Sequence, residues 1–181
     1  MTTQGTRIML DINDTIDRGV YADIFRPSEG PLVYKLFIGF RHDTTVSQGL
    51  TYPEDDHRRR KTFESECRAY EIAAQDALLR GHIPGSFRRC EIADVVEDGK
   101  SVAADYLLVC CYAMDYIEGF AAKLRAVGHL AHIREAEQAF HRAGIGHTSD
   151  ASIFIADDPE KFRFIDFAVE QFPPPPWLFK S

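Results

Sequence analysis

The sequence predicts an α+β fold, and three observations support that class. Apolar residues alternate with polar ones along residues 15–38 and 86–117, a pattern typical of strands. The intervening segment, residues 51–80, begins and ends with helix signals. From residue 118 the apolar pattern becomes helical, and two short strands follow. Because strands and helices occur in separate runs, we expect a twisted antiparallel sheet beside a mostly helical part.

The predicted strands of the first half are separated by turn residues. The segments TIDRGVYADIFRP (residues 15–27) and LVYKLFI (residues 32–38) both alternate, and PSEGP between them ends in a Gly-Pro pair. Further along, SFRRCEIADVV (residues 86–96) and SVAADYLLVCCYAMDYI (residues 101–117) flank the turn EDGK. The last of these segments is strongly apolar, so we expect it to form a central strand.

A long helix is predicted at residues 51–80. Thr51 and Glu54 have the spacing of a capping box, and Pro53 suits the first turn. Gly81 follows the predicted end. The second half presents one mostly apolar face, which consists of Phe63, Glu66, Ala69, Tyr70, Ala73, Ala74 and Ala77. Glu66 is therefore a carboxylate within an apolar stripe.

The remainder of the chain is predicted to combine helices with a pair of strands. Residues 118–127 and 129–144 have helical periodicity, with a break at Gly128 and a closing residue at Gly144. The strands SIFIA and KFRFIDF follow, joined by DDPE. In the second strand a lone carboxylate, Asp166, lies between two large apolar residues. As a purely structural residue it would end the strand, since aspartate is common at turns.

Composition excludes several functional classes. The 181 residues, 45% of them hydrophobic, suffice for one compact domain or two small lobes. The net charge of −7 argues against nucleic-acid binding, which needs a basic surface. No run predicts a membrane span or a signal peptide, so we expect a cytoplasmic protein without a membrane partner. The cysteines lack metal-ligand spacing and are predicted to be buried, reduced thiols: Cys67, Cys90, Cys110 and Cys111.

Several short motifs, in one order along the chain, carry a family resemblance. DRGVYADI resembles a glycine-rich GxGxxGxV loop, LVYKLF the strand motif VAIK, and FESECRAY a helix form F-x-x-E-x-x-A-Y. LLVCCYAMDYIEG resembles a hinge signature M-E-Y-x-x-G, HRAGIGH the run into a catalytic loop, and FRFIDFA the metal motif IDFG. The matched positions before the catalytic loop are Asp17, Gly19, Ala22, Ile24, Lys35, Glu66, Asp115, Tyr116 and Ile117. Together these motifs resemble the protein-kinase-like family.

The resemblance implies a two-lobed fold that binds ATP and Mg²⁺. Residues 1–117 would form an N-lobe with a five-stranded antiparallel sheet and one long helix. Residues 118–181 would form a reduced helical C-lobe with a catalytic-loop remnant, the metal-binding aspartate and a Pro-rich tail. Residues 17–24 would cover the phosphates with backbone N–H groups, and residues 115–117 would bind adenine. Lys35 would hold the α- and β-phosphates.

The catalytic loop departs from the family form H-R-D-x-x-x-x-N, and the residue implied as general base stays open. Alignment on the strand IFI places Ser152 at the metal-binding asparagine and His147 at the base. Alignment on GIGH makes His147 the motif histidine and Ser149 the aspartate position, with Asp150 the available carboxylate. Asp166, helped by Ser152, would hold Mg²⁺ in either alignment.

The implied reaction is transfer of the γ-phosphate of ATP to a protein hydroxyl. The alternative is a catalytically inactive pseudokinase, an interaction module with or without bound nucleotide. A small-molecule phosphotransferase is disfavoured because the large helical acceptor-binding lobe of that class is absent. Fifteen residues follow Asp166, too few for an activation segment and peptide-binding helices. We therefore expect a minimal kinase, of the kind some bacteria deliver into host cells, or a kinase-derived binding protein.

Some of these residues also have simpler structural interpretations. Glu66 would orient Lys35, but the two could form a plain structural ion pair. His147 could be a turn residue, and the basic run HRRRK at residues 57–61 could be a solvated helix face or an anion site. The tail PPPPW satisfies the PxxP pattern of an SH3 ligand, or it is a rigid segment that packs Trp177 onto the helical lobe.

Overall fold

A computed structural model describes residues 8–28, 30–40, 51–127, 130–146, 152–155, 162–165 and 167. The chain divides into two compact units. Unit 1 consists of Met1–Phe63 and Arg88–Tyr116, and unit 2 consists of Glu64–Phe87 and Ile117–Ser181. The structure confirms the α+β class and a five-stranded antiparallel sheet.

The elements of regular structure are short except for one helix and one strand. In chain order the strands are β1 (Ile8–Asp11), β2 (Thr15–Arg18), β3 (Ala22–Phe25), β4 (Leu32–Ile38), β5 (Arg88–Cys90), β6 (Ile92–Glu97), β7 (Lys100–Ser101), β8 (Tyr106–Asp115), β9 (Phe120–Lys123), β10 (Ser152–Ile155) and β11 (Phe162–Ile165). The α-helices are α1 (Tyr52–Gln75), α2 (Leu124–Val127) and α3 (Ala131–Arg142). Single 3-10 turns lie at Ile12–Asp14, Arg80–His82 and Ala103–Asp105.

Two sheets form unit 1. The five-stranded sheet has the order β2-β3-β4-β8-β5, and every neighbouring pair in it is antiparallel. The second sheet has the order β1-β6-β7, with β1 parallel to β6. Strand β8 lies inside the main sheet, as its apolar sequence predicts. The segment 86–96 was expected to be one strand, but it divides between β5 and β6, which belong to different sheets.

The core of unit 1 combines side chains from both sheets. Leu10 of β1, Leu36 of β4 and Val95 of β6 are buried in one apolar cluster together with Cys111 of β8. Strand β1 was not predicted, because only four residues form it and its pairing with β6 joins segments far apart in sequence.

Helix α1 begins where the capping box predicts and ends earlier than predicted. The Glu54 carboxylate accepts hydrogen bonds from the backbone N–H and the hydroxyl of Thr51, at 2.8 and 2.7 Å. These hydrogen bonds lower the pKa of Glu54. At the other end the Asp76 carboxylate accepts the backbone N–H groups of Leu78 and Leu79, at 2.8 and 3.1 Å. This side chain offers those N–H groups an alternative to helix hydrogen bonds, so the helix stops at Gln75 rather than Arg80.

Unit 2 contains the sheet β9-β10-β11, which corrects the prediction of a helix across residues 118–127. Strand β10 pairs antiparallel with β9 on one side and β11 on the other. Residues 120–123 have a helical pattern, but pairing with β10 outweighs that local preference. Helix α3 ends near Gly144, whose φ of 78° and N–H bond to the His141 carbonyl confirm the predicted glycine closure.

Aromatic side chains make up much of the core of unit 2. The Phe140 ring centroid lies 4.9 Å from that of Phe164 and 5.3 Å from that of Phe167. Tyr70 of α1 packs against Phe167 at 4.8 Å and stacks on Phe87 at 4.9 Å. Phe167 is fully buried and therefore belongs to this aromatic core.

None of the helices in the described part of the chain is both long and apolar enough to cross a bilayer.

Candidate functional site

Lys35 occupies an apolar face of the main sheet. It lies at the middle of β4, directly opposite Ile24 of β3 and Tyr112 of β8. Its side chain is 8% exposed, and its Nζ lies 5.7 Å from the ring centroid of Phe37 and 5.9 Å from that of Tyr112. Aromatic faces attract an ammonium group, but a buried cation also needs hydrogen-bonding or charged partners.

The structure brings four of the predicted nucleotide-binding residues to this one face: Asp17, Ala22, Ile24 and Lys35. Ala22 and Ile24 lie opposite Phe37 and Lys35, so the side chains of all four project from the same side of the sheet. Ala22 is buried and Ile24 is half-buried. Asp17 is exposed on the neighbouring strand β2, opposite Ile24.

The loop between β2 and β3 explains why a glycine stands at position 19. The Gly19 N–H donates to the carbonyl oxygen of Ala22 at 2.9 Å, which closes the loop on itself. A Cβ atom added at Gly19 would lie 2.8 Å from that same oxygen. The close backbone approach therefore requires glycine, and this N–H is engaged within the loop.

We expect Gly19→Ala to lower the free energy of unfolding by about 1–3 kcal/mol, since the backbone of the loop must move to admit a methyl group. Gly81→Ala is the matched control, because nothing lies within 4 Å of its Cβ position. Urea denaturation of both variants measures the difference. Equal stability of the two variants would show that the loop accepts a side chain at position 19.

Arg59 joins this loop to helix α1, a role that sequence reasoning missed. Its Nε donates to the Asp55 carboxylate at 2.7 Å, and both side chains are fully buried. Its Nη1 also donates to the backbone carbonyl of Val20 at 3.2 Å. The guanidinium carbon lies 5.8 Å from the ring centroid of Tyr21. The loop and the first part of α1 are thus held together by one buried cation.

The basic run HRRRK therefore has two kinds of residue. His57, Arg58, Arg60 and Lys61 are exposed, as a solvated helix face predicts. Arg59 is wholly buried and paired with Asp55, so for this residue both interpretations, a solvated helix face and an anion site, were wrong. The sequence could not distinguish it, because Arg60 has the same i,i+4 spacing to Asp56 and forms an exposed pair at 2.7 Å.

Glu66 is buried in helix α1, in agreement with its position in the apolar stripe. Its side chain is 1% exposed, and its neighbours Cys67 and Tyr70 are fully buried. Two other members of the predicted stripe, Ala74 and Ala77, are exposed, so the stripe is shorter than expected. Lys35 belongs to unit 1 and Glu66 to unit 2, and their pairing stays a prediction.

The predicted hinge begins at the end of β8. Asp115 is the last residue of that strand and pairs with Leu32 of β4. The Tyr116 N–H donates to the carbonyl oxygen of Pro31 at 2.7 Å, and the Arg26 guanidinium lies 3.4 Å from the centroid of the Tyr116 ring. Ile117 is half-buried. Tyr116 thus has its N–H engaged with the chain itself, and an adenine could use only its carbonyl.

Of the remaining predicted site residues, Ser152 is the one that lies within the described part of unit 2. Ser152 begins β10, with its backbone opposite Ile165 of β11. Asp166 follows β11 directly, but it lies outside the described residues, as do His147 and Asp150. The Pro-rich tail also lies outside them.

His82 is a second residue that sequence reasoning did not single out. Its ring stacks on Phe162, the first residue of β11, with 4.8 Å between centroids and an interplanar angle of 18°. Its Nδ1 is buried without a hydrogen-bond partner among the described residues. Burial, and secondarily the charge of Arg163, lower the pKa of His82. His132 contacts the same phenylalanine ring at 5.5 Å.

We expect stability to fall on acidification because of His82. The histidine has a pKa near 6.5 in the unfolded chain and a lower pKa in the folded protein. Between these two pKa values, the unfolded chain therefore binds more protons than the folded protein does. The free energy of unfolding should therefore decrease as the pH falls from about 6.5 toward the lowered pKa. Denaturation at about pH 7 and pH 5 measures this loss. His82→Phe keeps the stacking and should show a smaller loss; an unchanged loss would rule out His82 as its source.

Among the residues that the structure describes, no three His, Cys, Asp or Glu side chains converge so that they could hold a metal ion. No protein-family profile matches this sequence, and no curated protein matches it.

Proposed function

We propose that this chain is a minimal, divergent kinase-like phosphotransferase that binds ATP with Mg²⁺. The observation that carries the proposal is the burial of Lys35 on an aromatic-lined sheet face that it shares with Ala22 and Ile24. A cation in apolar surroundings is stabilised by anionic groups, and phosphate oxygens are such groups.

The order of elements around Lys35 supports the same proposal. Along the chain, β4 is the third strand of the five-stranded sheet, and the strand-three lysine of the family occupies that position. The next helix, α1, carries the buried Glu66, which would orient the lysine. Strand β8 pairs with β4 and leads into residues 115–117, the proposed adenine site.

The proposed roles follow from the chemistry of each side chain. Lys35 holds the α- and β-phosphates as a point charge, and Glu66 fixes its position. The Asp166 carboxylate and the Ser152 hydroxyl are hard oxygen ligands, the kind that suits Mg²⁺. The bound metal would neutralise charge on the β- and γ-phosphates. His147 or Asp150 accepts the proton of the attacking protein hydroxyl.

The reaction we propose is transfer of the γ-phosphate to a hydroxyl of a protein substrate. Phosphoryl transfer depends chiefly on positioning and electrostatic stabilisation, with little proton abstraction in the transition state. A displaced base is therefore compatible with slow catalysis. The setting we propose is cytoplasmic, in the protein's own cell or in a host cell.

Thermal denaturation with and without ATP and Mg²⁺ tests nucleotide binding. At about one hundred times the Kd we expect the Tm to rise by about 5–10 °C. The rise should disappear in Lys35→Ala and in Asp166→Asn, each compared with its own ligand-free Tm. Lys61→Ala removes an exposed lysine and should retain the full rise. No rise in the parent protein would remove the nucleotide site from the proposal.

A catalytically inactive pseudokinase is the second candidate, and two backbone hydrogen bonds favour it. The N–H of Gly19 is engaged within the loop, and the N–H of Tyr116 is engaged with Pro31. Both donors lie in segments proposed to contact nucleotide, so the loop and hinge offer fewer contacts. As a pseudokinase, the protein would act by binding a partner, and an SH3-type domain that binds the Pro-rich tail is one candidate. Transfer of labelled γ-phosphate that Asp166→Asn abolishes would support the enzyme, and ATP binding without any transfer would support the pseudokinase.

A further inference from the structure

Two of the four cysteines lie directly opposite each other in the main sheet. Cys90 ends the edge strand β5, and its register partner on β8 is Cys111. Opposed residues of antiparallel strands project from the same face, so both thiols lie on one side of the sheet. Both belong to the apolar core of unit 1, with Cys111 fully buried and Cys90 half-buried.

The spacing of such a pair suits a disulfide. Opposed residues in antiparallel strands have Cα atoms about 4.5–5.5 Å apart, depending on the type of pair. Disulfides span Cα distances of about 4.4–6.8 Å. Neither cysteine forms a disulfide in the structure, and each donates weakly to a backbone carbonyl: Cys90 to Arg88 at 3.6 Å and Cys111 to Tyr112 at 3.8 Å. Opposed Cβ atoms lie about 4.5–5.5 Å apart and a disulfide needs about 3.5–4.5 Å, so the bond would require rotation of both side chains and a slight approach of β5 to β8.

The adjacent Cys110 does not compete for this bond. Successive residues of a strand project to opposite faces, so Cys110 lies on the other side of β8 from Cys111. Its sulfur instead accepts a contact from Nη1 of Arg60 at 3.8 Å. Cys67 belongs to the other unit and has no place in the β5–β8 ladder.

We propose that Cys90 and Cys111 are a modification site at which a low-molecular-weight disulfide, such as oxidised glutathione, forms a cross-strand disulfide. The Cys90 thiolate, the more accessible of the two, attacks a sulfur of the oxidant and releases one glutathione thiol. The Cys111 thiolate then attacks the Cys90 sulfur of the mixed disulfide and releases the second thiol. Two protein thiols are oxidised, one oxidant disulfide is reduced to two thiols, and the two protons go to the released thiolates.

The bond would secure one edge of the sheet. Strand β5 has three residues, and among the described strands it pairs with β8. A covalent link to Cys111 restricts the unfolded chain and holds β5 in register. The neighbouring residue on β8, Tyr112, lies opposite Lys35 on the other face, so the link also fixes the backbone behind that lysine. This inference does not depend on the proposed nucleotide site.

Peptide mapping of the full chain tests the proposal. After incubation with oxidised glutathione, proteolysis without reductant should yield one linked peptide pair, Cys90–Cys111, lighter than the two reduced peptides by two hydrogen atoms. The Tm should rise by about 5–10 °C, and reduction should reverse the rise.

Three variants control the experiment. Cys90→Ser alters a half-buried residue and should abolish both the linked peptide and the rise, while its reduced Tm shows whether it folds. Cys67→Ser and Cys110→Ser should retain both. A glutathione adduct on Cys90 alone, a link to another cysteine, or a linked peptide without higher Tm would each overturn the proposal.

Discussion

Replacing Arg59 with methionine is expected to lower the free energy of unfolding by about 3–5 kcal/mol. Asp55 and Arg59 are both fully buried, and the substitution would leave the carboxylate without its 2.7 Å partner. The carbonyl of Val20 would also lose a hydrogen bond from the guanidinium. Urea denaturation followed by far-UV circular dichroism measures the change. The loss is large because a buried charge without compensation is far more costly than a missing surface contact.

The neighbouring pair supplies a matched control. Arg60 and Asp56 have the same i,i+4 spacing and the same 2.7 Å distance, but their side chains are 46% and 22% exposed. Arg60→Met should change stability by no more than about 1 kcal/mol. The double variant Asp55→Leu with Arg59→Met should recover much of the loss, since it leaves no buried charge unpaired. If the two single variants were equally stable, burial of Arg59 would not matter for the fold.

Replacing Lys35 with methionine is expected to reduce phosphoryl transfer by about 10²–10³-fold, the usual cost of removing one positioned electrostatic group. Methionine keeps an apolar stem near the rings of Phe37 and Tyr112, so the packing of the sheet face should change little. The rate of labelled phosphate transfer, compared between parent and variant at the same ATP concentration, measures the effect.

Two comparisons separate charge from position. Lys35→Arg keeps the positive charge but replaces the compact ammonium with a planar guanidinium, so we expect partial activity. Lys61→Met removes an exposed charge and should leave the rate unchanged. A Lys35→Met variant with parental activity would exclude any role for this ammonium in transfer.

Local signals account for the parts of the fold that the sequence predicts well. The PSEGP turn separates β3 from β4, and the Thr51 capping box marks the start of α1. The parts that were wrong depend on contacts between distant segments. Strand β1 pairs with β6, and β9 forms because β10 pairs with it despite a helical pattern. The end of α1 depends on a side-chain competitor, Asp76, which its sequence does not distinguish from an ordinary surface aspartate.

The candidate site likewise has features that local sequence signals predict and features that they do not. Burial of Lys35 and Glu66 was predictable, because each charged residue stands among apolar neighbours at strand or helix spacing. Arg59 was not, since its spacing to Asp55 equals that of the exposed Arg60 pair. The hydrogen bond from the Tyr116 N–H to the Pro31 carbonyl was also not predictable, because it joins residues 85 positions apart in sequence.

Isothermal titration of ATP with Mg²⁺ into the protein tests the central claim, which is a nucleotide site built around Lys35 and Asp166. We predict saturable binding at a single site, loss of that binding in Lys35→Met and in Asp166→Asn, and its retention in Lys61→Met. Absence of saturable heat at about 1 mM ATP, or binding that persists in both site variants, would contradict the claim.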